Sequence, residues 1–145
     1  MEIPQSLLEN TIEENKIYFF TDKSKFGVKG HLHVCLRKGD EILLFSTCTS
    51  QMDTVYKLAR YRGFDLNTFP CIKKNDTNLF DMDYTYINCN QVWTYTIDDF
   101  VSELRNGRII PTEGFLSDAE MQTIASGVQK SQLVPLNIKK LFINK

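Results

Sequence analysis

No stretch of this 145-residue chain approaches the roughly 20 consecutive apolar residues needed to cross a bilayer, and no charged-then-apolar leader opens it. The sequence therefore predicts a soluble, cytoplasmic chain with no membrane partner. Cysteine is scarce and scattered. Cys35, Cys48, Cys71 and Cys89 form no CxxC pair, which argues against a disulfide framework and predicts free, mostly buried thiols. There is no Walker loop, no GxSxG, no HExxH and no dinucleotide fingerprint, so the commoner nucleotide-dependent and hydrolytic classes are removed and no cofactor is expected. Internal repeats, low-complexity tracts and Gly/Ser linkers are also missing. One domain spanning 1–145 is expected, with 1–15 as an acidic extension, 16–96 as a barrel core and 97–145 as a helical part.

What the chain does contain is 42% hydrophobic and 24% charged residues, enough for a real core and too little charge for disorder. The net charge of −1 hides an uneven distribution. Residues 1–15 carry four acids and no base, whereas residues 16–74 carry eleven basic and five acidic residues, a local +6. A basic middle of this kind can attract a polyanion, although on charge alone a solvated face is the favoured reading.

Histidine occurs twice, and both copies lie in residues 30–40, GHLHVCLRKGD. Alternation along a strand places His31, His33, Cys35 and Arg37 on one face and Leu32, Val34 and Leu36 on the other. Three readings of that polar face are open: a proton-transfer site, a metal site, or an ordinary wet sheet surface. The metal reading rests on HxHxC alone, a flat arrangement lacking an identified fourth ligand, so no metal is expected. Proton transfer suits imidazoles, whose ordinary pKa lies near neutrality.

Lys38-Gly39-Asp40 separates HLHVCLR from EILLFSTCT and predicts an antiparallel hairpin of 31–37 with 41–48. That pairing carries the hydroxyls Thr47, Thr49 and Ser50 towards the histidines; hydroxyls suit phosphate oxygens, and a polar strand end is the commoner reason for such a run. KIYFFTD (16–22) reads as a strand, and residues 84–96 as two strands or one bent one. A short helix is expected over 4–15. Another is expected over 53–63, capped by Asp53, ended by Gly63 and carrying Lys57, Arg60 and Arg62. Thr96 starts a helix closed by Asn106-Gly107, and Ser117–Glu120 is a capping box opening a last amphipathic helix. The aromatics Tyr18, Phe20, Tyr84, Tyr86, Trp93 and Tyr95 alternate along strands; most suit a core, and some suit stacking on unpaired bases. The fold class expected is α+β and β-rich: a small antiparallel barrel with C-terminal helices packed against it.

The order of HLHVCLR, TCTS, YINCNQVWTYTIDDF and GFLSDAEMQTIASGV resembles the MazF/PemK (Kid-like) family of bacterial toxin–antitoxin toxins, over residues 16–130. The resemblance implies an SH3-like barrel, often a homodimer, that cleaves single-stranded RNA without a metal and is held by a cognate antitoxin protein. Thr49-Ser50 matches the family's Thr-Ser. His31-Leu32 stands where the family has Arg-Pro, and Asn88 and Asn90 stand where it has an Arg and an Asp. An Asn cannot act as a base, so the resemblance implies catalysis by His31 and His33 with Thr49 and Arg37. Substrate contacts then fall to Ser50, Thr47, Lys29, Arg60, Arg62, Asn88, Asn90 and Gln91. The alternative is a non-catalytic SH3-like module that binds a protein or RNA.

Overall fold

The computed structural model describes residues 3–21, 30–73, 80 and 83–143, so Lys29 lies outside the described residues. Helix α1 (Gln5–Asn10) precedes β1 (Lys16–Phe20), then the hairpin of β2 (His31–Lys38) and β3 (Ile42–Thr49). Helix α2 (Met52–Arg62) and a 3-10 turn (Leu66–Thr68) lead to β4 (Cys71–Lys73), β5 (Tyr84–Ile87) and β6 (Trp93–Thr96). Helix α3 (Ile97–Arg105), β7 (Ile110–Phe115), α4 (Asp118–Lys130) and α5 (Leu136–Ile143) complete the chain.

The strands form one antiparallel sheet in the order β4-β5-β3-β2-β1-β7. Strand β6 pairs with Ile42–Phe45 of β3, and β5 pairs with Cys48 and Thr49. One edge of β3 thus passes from β6 to β5, which curls the sheet into a half-barrel. The α+β, β-rich architecture expected from the sequence is the one observed.

Two departures follow from pairing across long sequence distances. Residues 97–145 are not only helical, because Ile110–Phe115 joins β1 as an edge strand. Cys71–Lys73, for which the sequence predicts no element, pairs with β5. Cys71–Lys73 is too short to show alternation, and Ile110–Phe115, IPTEGF, contains Pro111 and Gly114 and no alternating apolar residues.

Both faces of the sheet are buried. Ile17, Val34, Leu36, Leu44 and Ile87 pack with Ile124 and Val128 of α4 and Phe142 of α5. On the other face Tyr18, Phe20, Cys35, Phe45 and Tyr95 pack with Phe100 of α3 and Ile12. That second core is largely aromatic: Phe45 and Phe100 stack at 5.0 Å, and Tyr18 meets both edge-on.

The local signals hold at the later helices. Thr96 Oγ1 accepts from the Asp99 amide, and Ser117 and Glu120 form both bonds of a capping box. Gly63 ends α2 with φ of +70°, a conformation glycine adopts without steric cost. At its start, however, the N-cap is Gln51, so Asp53 sits in the first turn rather than at the cap. There its carboxylate still faces the positive end of the helix dipole.

The acidic N-terminal segment is tied into the fold. Lys38 Nζ donates to the carbonyls of Glu9 and Ile12 at 2.7 and 2.9 Å, and Gln5 Nε2 donates to Asp98 at 2.6 Å. Ile12 is buried in the aromatic core. Among the described residues, no helix is long and apolar enough to cross a membrane.

Candidate functional site

The hairpin does bring a histidine and hydroxyls together. A cavity of about 250 Å³ opens where β2 begins and β3 ends, lined by His31, Thr49, Ser50 and Gln51 with Phe19, Gly30, Leu32, Cys48, Phe80 and Thr85. His31 and Thr49 are half-buried there, and Ser50 is exposed. The Thr49 hydroxyl oxygen accepts from the Gln51 amide at 3.2 Å, which anchors the entry into α2 and leaves the hydroxyl proton to be donated. Burial pushes the Cys48 thiol well up, so at neutral pH it lines the cavity as a small apolar group.

Gly30 makes room for the exposed ring of Phe19. A Cβ at this position would stand 2.6 Å from Cζ of Phe19, in the space the ring takes up over the strand start. Phe19 was legible as the odd residue of KIYFF, facing away from Tyr18 and Phe20. Phe80, Thr85 and Gln51 carried no signal linking them to the histidines, because they arrive from elements that only the sheet brings near.

His33 lies elsewhere. It is fully buried (0% exposed), its ring stacked on Phe20 and its Nδ1 2.9 Å from the His31 carbonyl oxygen. The expected common wall of His31 and His33 is therefore corrected: strand alternation is obeyed, but that face enters the aromatic core one step after His31. Cys35 is buried in the same core, and burial raises its pKa to about 12. Among the described residues, no group of three or more His, Cys, Asp or Glu could hold a metal ion.

Arg37 is also displaced. Six residues of strand at about 3.3 Å each separate it from His31 by ~20 Å. A β-bulge intervenes too, since Cys35 opposes Phe45 whereas Arg37 opposes Leu44. Leu44 belongs to the α4 side of the sheet, so Arg37 no longer shares the histidine face. It pairs with Glu14 at 3.7 Å, beside the Lys38 amide, which donates to the same carboxylate oxygen at 2.7 Å.

Neither search for relatives returns one: no protein-family model and no curated protein matches the chain.

The remaining predicted contacts disperse. Thr47 Oγ1 accepts from the Trp93 indole at 2.9 Å. Asn90 is buried, donating to Thr68 Oγ1 at 2.7 Å and accepting from Ser131 Oγ at 2.8 Å, so it knots the 3-10 turn to the end of α4. Asn88 Oδ1 accepts from the Asn90 amide, and the exposed Gln91 offers its carbonyl to Ser46. Arg60 is exposed beside Tyr61 at the far end of α2. Arg62 meets Asn90 and Lys130 around a separate cavity of about 180 Å³. The structure thus gathers His31, Thr49 and Ser50, and separates them from His33, Arg37, Thr47, Arg62 and Asn90.

Proposed function

We propose that the chain is a toxin-like endoribonuclease that cleaves single-stranded RNA without a metal, with His31 as its proton-transferring side chain. The observation that carries this reading is the convergence of His31, Thr49 and Ser50, from both strands of one hairpin, on a single cavity. In the reaction, His31 takes the proton of a ribose 2′-hydroxyl, and the 2′-oxygen attacks the adjacent phosphorus. The bond to the 5′-oxygen breaks, and that oxygen takes a proton from water. The products are a 2′,3′-cyclic phosphate and a 5′-hydroxyl. Thr49 and Ser50 donate to the non-bridging oxygens and hold the phosphate in place. One positioned base contributes about 10²–10⁴-fold, so a modest rate is expected. A cytoplasmic site of action, an antitoxin-like protein partner and a homodimer go with this reading.

A second reading, a non-catalytic module that binds RNA or protein, is favoured by one observation. Among the described lining residues, His31 and the buried Cys48 thiol are the only titratable side chains. The deciding test is cleavage of mixed-sequence RNA by wild type and His31→Ala, with and without EDTA. Cyclic-phosphate ends made by wild type, resistant to EDTA and lost in His31→Ala, support the nuclease. RNA binding without cleavage supports the module, and equal cleavage by the variant removes His31 from the chemistry.

A further inference from the structure

We propose that Tyr84 and Tyr86, flanked by Tyr56, form a base-stacking strip for the nucleotides next to the strand segment held in the His31 cavity. The proposal rests on the reading of that cavity as a single-stranded RNA site. In β5 the side chains alternate cleanly, with Thr85 and Ile87 buried and Tyr84 and Tyr86 turned to the opposite face. Tyr84 is 46% exposed, and Tyr56 on α2 is 51% exposed. A core does not need these rings, and the aromatic core on the far side of β1–β3 is already complete without them.

Their position relative to the cavity follows from register. Thr49, which lines the cavity, is the direct cross-strand partner of Tyr86, and Tyr86 is in turn the partner of Cys71. Paired residues share a face, and adjacent strands lie about 4.8 Å apart, so Thr49 carries the tyrosine face to the rim of the cavity, while Thr85, between the two tyrosines, lines the cavity from the other face. The Tyr86 phenol is held above its ordinary pKa by partial burial first, then by electrostatic interaction with Cys71, Tyr56 and Tyr84.

Charge selects the occupant. Lys73 stands directly opposite Tyr84 on β4, and Lys57 and Arg60 are exposed on α2 with Tyr56. Against these three cations stand, among the described residues, the exposed Asp53 and Asp83, with Glu120 lining a cavity beside Cys71. Rings for bases interleaved with cations for phosphates are the combination that single strands need, and stacking is indifferent to base identity. The chemistry named is thus a single-stranded nucleic acid bound with little sequence preference at the flanking positions.

The test is fluorescence anisotropy with a short, labelled, mixed-sequence RNA carrying 2′-O-methyl sugars, which can bind but cannot be cut. Tyr84→Ala and Tyr86→Ala should each weaken binding roughly 5- to 150-fold. Tyr84→Phe and Tyr86→Phe keep the ring and should bind like wild type. A strand of the same length without bases should not distinguish any of these proteins. If wild type binds the RNA and the alanine variants bind equally well, the strip is overturned while the cavity reading stands. If wild type binds no RNA at all, both fall, and the tyrosines become a surface for some other partner.

Discussion

The imidazole of His33 lies flat on the ring of Phe20, with centroids 3.7 Å apart and planes 7° from parallel. Cross-strand register explains the fit, because Phe20 opposes His31 and Tyr18 opposes His33, so Phe20 reaches its diagonal neighbour. Removing the buried ring leaves a void against Phe20. His33→Ala should therefore lower stability by about 2–4 kcal/mol. His31→Ala, at the half-buried strand end, should cost less than ~1 kcal/mol. Urea midpoints at neutral pH separate the two, and equal destabilisation would contradict the division of roles drawn between them.

Asn90 is a structural tie in this fold. Asn90→Ala removes the donor to Thr68 Oγ1 and the acceptor of the Ser131 hydroxyl, which keep their bonds to the Asp65 carbonyl and to the Leu133 and Val134 amides, with an expected loss of about 1–3 kcal/mol. Well below its melting temperature, the variant should bind RNA as wild type does. Lost RNA binding at unchanged stability would make Asn90 a ligand contact instead.

The thiols give a pH signature. Burial raises Cys35 and Cys89 from 9.0 to about 12, while Cys71 is exposed. Below pH 9 both states hold these protons, and the thiols contribute no pH dependence. Between pH 9 and about 12 the unfolded chain releases protons that the folded chain retains, so stability falls as pH rises. The slope reaches about 1.4 kcal/mol per pH unit for each thiol. Urea midpoints from pH 8 to 11 test this, and Cys35→Ala should fall less steeply. At pH 8 a thiol reagent should modify Cys71 in the native protein and the other three only after unfolding.

Gly127 is where α4 approaches the turn below it. A Cβ here would stand 2.8 Å from Cys89 Sγ and 3.0 Å from the Asn67 carbonyl oxygen. The contact is partly to backbone, so relief requires α4 to shift. Gly127→Ala should destabilise by about 1–3 kcal/mol despite the better helix propensity of alanine. Thermal unfolding measures it, and a rise in melting temperature would show that α4 packs more loosely than described.

Much of the framework was legible in the chain because its causes are local. The 38–40 break between two apolar runs produced the β2–β3 hairpin, and the side chains of Thr96, Ser117 and Glu120 began α3 and α4 by bonding amides three residues away. Thr49 and Ser50 could be carried towards His31 on hairpin register alone.

Alternation also grouped His31 with His33 correctly. It said only that they share a side, and the environment of that side was set by Phe20, Phe45 and Phe100, the last 67 residues further on. Tertiary structure likewise decided that a bulge turns Arg37 to the other face, where Glu14 meets it. It decided that Asn90 is spent on Thr68 and Ser131, and that Tyr84 and Tyr86 face outwards beside Thr49. Hydrogen-bonded caps and turns are fixed by neighbours in sequence; burial, and with it the chemistry left to a side chain, is fixed by whatever the fold packs against it.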